Sequence, residues 1–346
     1  MLFHLGALWR LNELGHLRKL ARVSSVSGGS ITAGLLATAW PRLDFDGAGM
    51  ATNFGELVVS PLRAFAGQTI DIGAILRGLL LPGSISDRIA DSYRRHLFGD
   101  LTLQDLPDQP QFVFNATNLQ SSVLFRLSKP YLWDYRVGEL EEPTVPLAVA
   151  VAASSAFPPF LSPVTIRFPA GAFKPGSGDD LQQPAYTERV MLSDGGVYDN
   201  LGLETAWKGF RTILISDGGG HIADTPSPAR DWARQFYRAY SVTDNQVRSL
   251  RKRQAIGGFK NKERTGTYWG IRSHVEDYRL DDPLDCPTEQ TLALARVKTR
   301  LAGIKPALQE RLINWGYAIC DTAMRKHVVL DARRPDFPYP GGVAPP

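Results

Sequence analysis

The chain has only two cysteines, Cys286 and Cys320, among its 346 residues. One pair without ligand spacing makes neither a disulfide framework nor a zinc site, and both read as free, partly buried thiols. No run reaches the roughly 18 apolar residues that a transmembrane helix needs. The nearest, Ile70 to Pro82, is interrupted by Asp71 and Arg77. The start shows no signal-peptide layout. Charge of one sign is also scarce, because the formal net charge is only +4. That is too mild to argue for nucleic acid as a partner. The scattered acids Asp44, Asp46, Asp179 and Asp180 match no EF-hand loop, so neither a metal nor a cofactor is expected. Basic residues do gather at Arg248, Arg251, Lys252 and Arg253, then at Lys260, Lys262 and Arg264. The first reading of that cluster is a solvated helix end and loop. The lesser one is contact with an anionic phospholipid surface.

What is present is a large apolar fraction, 43%, against 21% charged residues, enough for a sizeable core and against wholesale disorder. Leu2, Leu5, Leu8, Trp9 and Leu11 fall at helical spacing up to Gly15. Ala21 to Val26 reads as a short strand, and Ser30 to Trp40 as a small-residue helix stopped by Pro41. Residues 56–110 read as helices broken by Pro61, Pro82 and Pro107. Gln111 to Asn115 and Val123 to Leu127 alternate as strands. Val145 to Ala156 reads as a buried helix, and residues 168–188 as an inserted loop. Val190 to Leu192 and Thr212 to Ile215 read as strands that each run into Asp-Gly-Gly. Asp231 to Arg253 suits a long helix, Thr265 to Ile271 a strand, and Leu308 to Ala323 a last amphipathic helix. The segment from Pro335 reads as a loose tail. Strands alternating with helices predict an α/β fold with a mainly parallel central sheet covered on both faces. Residues 1–330 form one domain in this reading, followed by a Pro/Gly-rich tail, 331–346.

One segment has the layout of a nucleophile elbow. Ser25-Val26-Ser27-Gly28-Gly29-Ser30 lies between the short strand and the small-residue helix. A serine nucleophile needs a sharp turn that lifts its hydroxyl clear of the backbone, and Gly28 and Gly29 let the turn tighten. The helix that follows offers free N–H groups to a developing oxyanion. Ser25 stands where a glycine is usual. The plainer reading of the same residues is a glycine turn with Ser27 or Ser30 as a helix cap. A serine also needs a base. The six histidines, His4, His16, His96, His221, His274 and His327, sit in no motif that marks one. Asp194 does: the apolar strand Val190 to Leu192 delivers it to Gly195 and Gly196. A carboxylate held against a hydroxyl in a dry pocket can take the proton during attack. A second Asp-Gly-Gly stands at Asp217, and a strand-end turn is the plain reading of either.

Taken together, Leu5-Gly6-Ala7-Leu8, the Ser25 to Ser30 block, Ala150 to Phe160 and Ser193-Asp194-Gly195-Gly196-Val197-Tyr198-Asp199-Asn200 resemble the patatin-like phospholipases over about residues 1 to 220. The resemblance implies a three-layer fold and a Ser-Asp dyad without histidine, with Ser27 as nucleophile and Asp194 as its base. Val197 to Asn200 favour Asp194 over Asp217. It implies hydrolysis of lipid acyl esters through an acyl-enzyme, a lipid or phospholipid substrate, and a cytoplasmic or membrane-peripheral location. The family pattern opens with a strand and a Gly-Gly-Gly-x-Arg/Lys-Gly loop, whereas Met1 here directly precedes the first helix, so that strand reads as missing. The alternatives are a catalytically impaired lipid-binding or interaction protein, and a hydrolase pairing His274 or His327 with Asp217.

Overall fold

A computed structural model describes residues 1–68, 85–158, 161–220, 224–297 and 303–344. The first apolar stripe forms the helix Leu2–Glu13, which buries Leu2, Phe3, Leu5, Gly6, Ala7 and Leu11. It packs along the last helix, Pro306–His327. Two glycines permit the approach. A Cβ at Gly6 would lie 1.9 Å from the Ile313 carbonyl oxygen, and one at Gly316 would lie 1.8 Å from that of Phe3. Both would strike backbone, which cannot rotate away as a side chain can. A buried ion pair, Arg10 with Asp321 at 2.8 Å, joins the same two helices. Gly316→Ala is therefore expected to destabilise the protein by about 1–3 kcal/mol, the range for overpacking a tight core. The urea midpoint reads it, and an unchanged midpoint would show that the helices can part freely.

Strand β1 (Arg22–Ser25) leads into the helix Gly28–Ala39. Four strands then follow with no helix between them: β2 (Gln111–Asn118), β3 (Val123–Ser128), β4 (Tyr131–Asp134) and β5 (Gly138–Glu141). The helix Leu147–Ser154, β6 (Val164–Arg167) and β7 (Arg189–Asp194) come next. The order across this seven-stranded sheet is β5-β4-β3-β2-β7-β6, with β1 also on β2. A separate parallel pair, β8 (Thr212–Asp217) and β9 (Thr265–Gly270), is connected by the 29-residue helix Trp232–Lys260.

This corrects the expected mainly parallel central sheet. Only β1 and β2 pair parallel in the large sheet; β2–β3, β3–β4, β4–β5, β2–β7 and β6–β7 are all antiparallel. From β2 to β5 the cause is connection length. Lys129 and Pro130 alone join β3 to β4, and a link that short can only return the chain antiparallel. The strands β4, β5 and β6 are four residues each, too short to stand out by periodicity. Pro61 does not break a helix either: the wide helical turns of Gly55–Val59 run straight through it into Ser60–Ala66. Pro82 and Ile70 to Pro82 lie outside the described residues.

One apolar core runs from Leu2 to Val343, and a smaller one under β8 and β9 holds Leu203, Ile213, Ile215, Ala255 and Tyr268. The tail is fastened rather than loose. Asn314 Nδ2 donates to the carbonyls of Tyr339 and Gly342, each at 2.8 Å, and Val343 is buried. Cys286 and Cys320 are free and buried, and burial pushes the Cys286 thiol up to about 12. No helix among the described residues is long and apolar enough to cross a membrane.

Candidate active site

The register of β2 builds the site. Along one edge of β2, Ser25 of β1 pairs with Phe114 and Asp194 of β7 pairs with Ala116. β1 runs parallel to β2 and β7 antiparallel, so their C-terminal ends meet head to head, one on each side of Asn115. The elbow and the Asp-Gly-Gly turn thus converge where two opposed strands abut, not at the common edge of a parallel sheet.

Asn115 is fully buried and ties the junction together. Its Nδ2 donates to Ser24 Oγ and to the Ser25 carbonyl, each at 2.9 Å, and its Oδ1 accepts from Thr205 Oγ1 at 2.8 Å. The helix Leu147–Ser154 closes the junction from its C-terminal end. The Ser154 carbonyl accepts from Ser27 N–H at 2.9 Å and from Gly195 N–H at 3.2 Å, and Ser154 Oγ donates to the Asn115 carbonyl at 2.6 Å. One carbonyl therefore holds both turns. Gly195 is required by this closeness, since a Cβ there would lie 2.1 Å from the Asn115 carbonyl oxygen.

Ser27 stands at the strand-to-helix turn with φ 54° and ψ −133°, a region that non-glycine residues enter at a cost of about 1–3 kcal/mol. Gly28 and Gly29 open the helix, whose first N–H groups have no partner within it; Gly29 N–H donates to the Val26 carbonyl at 3.0 Å, and the Ser27 side chain caps neither. The neighbouring serines are engaged elsewhere. Ser24 Oγ donates to the Gly202 carbonyl at 2.6 Å, and Ser30 Oγ contacts Ser25 Oγ and Ser154 Oγ at 2.9 and 2.8 Å.

Asp194 ends β7 and is 1% exposed. Its Oδ1 accepts from Gly196 N–H at 2.7 Å, and Gly196 starts a single helical turn, Gly196–Asp199. Its Oδ2 is buried without a hydrogen-bond partner. Burial pushes the carboxyl up to about 6, against the Gly196 N–H and the nearby Ser27 hydroxyl, which pull it down; Asp244 adds to the rise. The Ser27 hydroxyl therefore belongs to the surroundings of the carboxyl, while Oδ2 keeps no hydrogen-bond partner.

A family model described as patatin-like phospholipase matches residues 1–207. The chain belongs to the patatin-like phospholipase family. A search of curated proteins found no match. The matched residues of this patatin-like chain include the elbow, the Leu147–Ser154 helix and Asp194, and they end before Asp217. Asp217 has a different environment. Its Oδ2 accepts from the Tyr268 hydroxyl and its Oδ1 from Gly219 N–H, each at 2.8 Å, so both oxygens are engaged. His4 Nδ1 bonds Ser216 Oγ at 2.8 Å, and burial pushes the ring down to about 3, too weak a base for neutral pH. His274 contacts Thr288 Oγ1 at 3.5 Å, and His327 lies against the Tyr278 ring. His221 lies outside the described residues.

Asn115 and Ser154 carry the junction and went unread in the sequence. Their signal was there: Asn115 interrupts the apolar run Phe112-Val113-Phe114, and Ser154 ends an Ala/Val helix. Tyr240 and Asp244 were also missed. They come from the Trp232–Lys260 helix: Asp244 adds to the rise of the Asp194 carboxyl, and Asp194 in turn raises the Tyr240 hydroxyl.

Proposed function

We propose that this chain hydrolyses the acyl esters of glycerophospholipids with Ser27 as nucleophile and Asp194 as its base. Ser27 Oγ attacks the ester carbonyl while its proton passes to the Asp194 carboxylate. The N–H of Gly28, at the N-terminus of the Gly28–Ala39 helix, stabilises the tetrahedral oxyanion. Collapse releases the alcohol, which takes the proton from Asp194, and leaves the acyl group on Ser27. Water then attacks this ester, giving a proton to Asp194, and the fatty acid departs as Ser27 recovers its proton. One observation carries the reading: a strained, uncommitted serine at a helix N-terminus stands beside a desolvated carboxylate with one free oxygen. A carboxyl raised toward neutral pH is a better base than an ordinary one.

Labelling with a fluorophosphonate tests the nucleophile directly. The full chain is expected to gain one adduct, mapped to the Ser27 peptide by mass, and Ser27→Ala to gain none. A folded chain that takes no label but binds phospholipid would favour a lipid-binding protein instead.

A further inference from the structure

The Trp232–Lys260 helix carries aromatic residues that the fold does not use. Its C-terminal part is docked, with Ala255 and Gly258 buried. Three of its basic residues there are tied down: Arg251 pairs with Glu204 at 3.4 Å, Arg248 with Asp244 at 3.2 Å, and Lys252 lies over the Tyr268 ring at 4.9 Å. The N-terminal turns differ. Residues 231 to 237 are exposed on every face. Trp232 is 84% and Phe236 72% exposed, although each is among the most costly side chains to leave in water.

Trp232, Phe236 and Tyr240 are four residues apart and share one helix face. The stripe leads into the site. Tyr240 packs edge-on against Phe157 with ring centres 6.5 Å apart, and its hydroxyl, buried without a partner, is pushed up to about 12 by burial and by Asp244 and Asp194. From Tyr240 outward to Trp232 the stripe spans about 12 Å, at 1.5 Å per residue. Arg230, Arg234 and Arg238 flank it; Arg234 pairs with Asp231 at 2.5 Å, and the segment keeps a net positive charge.

We propose that the first turns of this helix dock on an anionic phospholipid surface, with Trp232 and Phe236 inserted at the headgroup–acyl boundary. Aromatic side chains beside arginines match that boundary, where the rings sit among headgroups and the guanidinium groups meet phosphates. Docking there brings the helix that carries Tyr240 and Asp244, next to Asp194, to the surface that holds the substrate. The choice of lipid as occupant rests on the acyl-hydrolase reading, but the docking itself is measurable without hydrolysis.

The experiment is co-sedimentation of the full chain carrying Ser27→Ala, so that the lipid stays intact, with vesicles of phosphatidylcholine alone or mixed equally with phosphatidylglycerol. Binding is expected to the mixed vesicles and to weaken with added salt. Adding Trp232→Ala and Phe236→Ala is expected to reduce the partition on the order of tenfold or more, while cooperative unfolding shows that this variant remains folded. Absence of binding by the parent, or equal binding by the aromatic variant, would overturn the proposal. So would self-association of the parent that the variant abolishes with its vesicle partition unchanged, since the stripe would then meet a second copy of the chain. A chain that docks yet takes no fluorophosphonate label would leave this inference standing and remove the hydrolase reading.

Discussion

Ser27→Ala is expected to abolish hydrolysis of a short-chain ester, with a loss on the order of a thousandfold to a millionfold, the range seen when a serine nucleophile is removed. Asp194→Asn is expected to fall in the same range, and Asp217→Asn within about tenfold of the parent. The reasoning is that a nucleophile and its base act as one unit, so removing either removes the step. Ser27 has no replacement, because Ser24 and Ser30 are committed to other partners. Asp194 holds a free, buried carboxylate oxygen, whereas both oxygens of Asp217 are held by Tyr268 and Gly219. Rates are compared at equal folded concentration, because Asp217→Asn disturbs a buried hydrogen bond worth about 1–3 kcal/mol when unmade. An equal loss in the Asp217 variant would transfer the base to that residue, and a hydrolysing Ser27→Ala chain would remove the elbow from the chemistry.

The second large effect is the dependence on pH. Burial raises the Asp194 carboxyl from its ordinary range near 4 to about 6. Only the carboxylate accepts a proton, so kcat/KM is expected to rise with pH up to about 6 and then to level off. Below 6 it should fall by about tenfold per pH unit. The same shift bears on stability with the opposite benefit. A carboxyl whose folded pKa lies above its unfolded value stabilises the fold while protonated, and this stabilisation is lost as pH rises from about 4 through about 6. Above 6 the folded chain holds a charge disfavoured by a few kcal/mol, on the order of 1.4 kcal/mol per pKa unit. Asp194→Asn removes that charge and keeps an oxygen for the Gly196 N–H. It should therefore raise the thermal midpoint at pH 7 to 8 while eliminating turnover, and the gain should vanish near pH 4. A pH profile without a limb near 6, together with an unchanged midpoint at pH 7, would show that Asp194 is neither the base nor a strained charge.

Much of the local structure was legible because it is written in near neighbours. The helix Gly28–Ala39 agrees with its run of small and apolar residues, and Asp231 caps the long helix as an aspartate before an apolar-periodic run should, accepting from Arg234 N–H at 3.0 Å. The parallel sheet expected from alternating strands and helices fails where the chain stops alternating. The stretch from Gln111 to Glu141 contains no helix at all, and its two-residue Lys129-Pro130 link already implied an antiparallel return. The tail failed for a related reason. Proline and glycine content describes a backbone that cannot form helix, but it does not reveal that Asn314 waits to bind its carbonyls.

By itself the sequence determined the kinds of group available: a serine flanked by small residues, an aspartate ahead of two glycines, and the order in which they occur. These depend on side-chain chemistry and on the one or two dihedrals of a turn, which adjacent residues dictate. Only the tertiary structure decided that Ser27 and Asp194, separated by most of the matched region, lie on either side of Asn115. Pairing register on a third strand brings them together, and register depends on which buried faces meet across the whole sheet. The rise of the Asp194 pKa was decided at the same level, because desolvation is a property of everything packed around a carboxyl and of nothing in its own sequence neighbourhood.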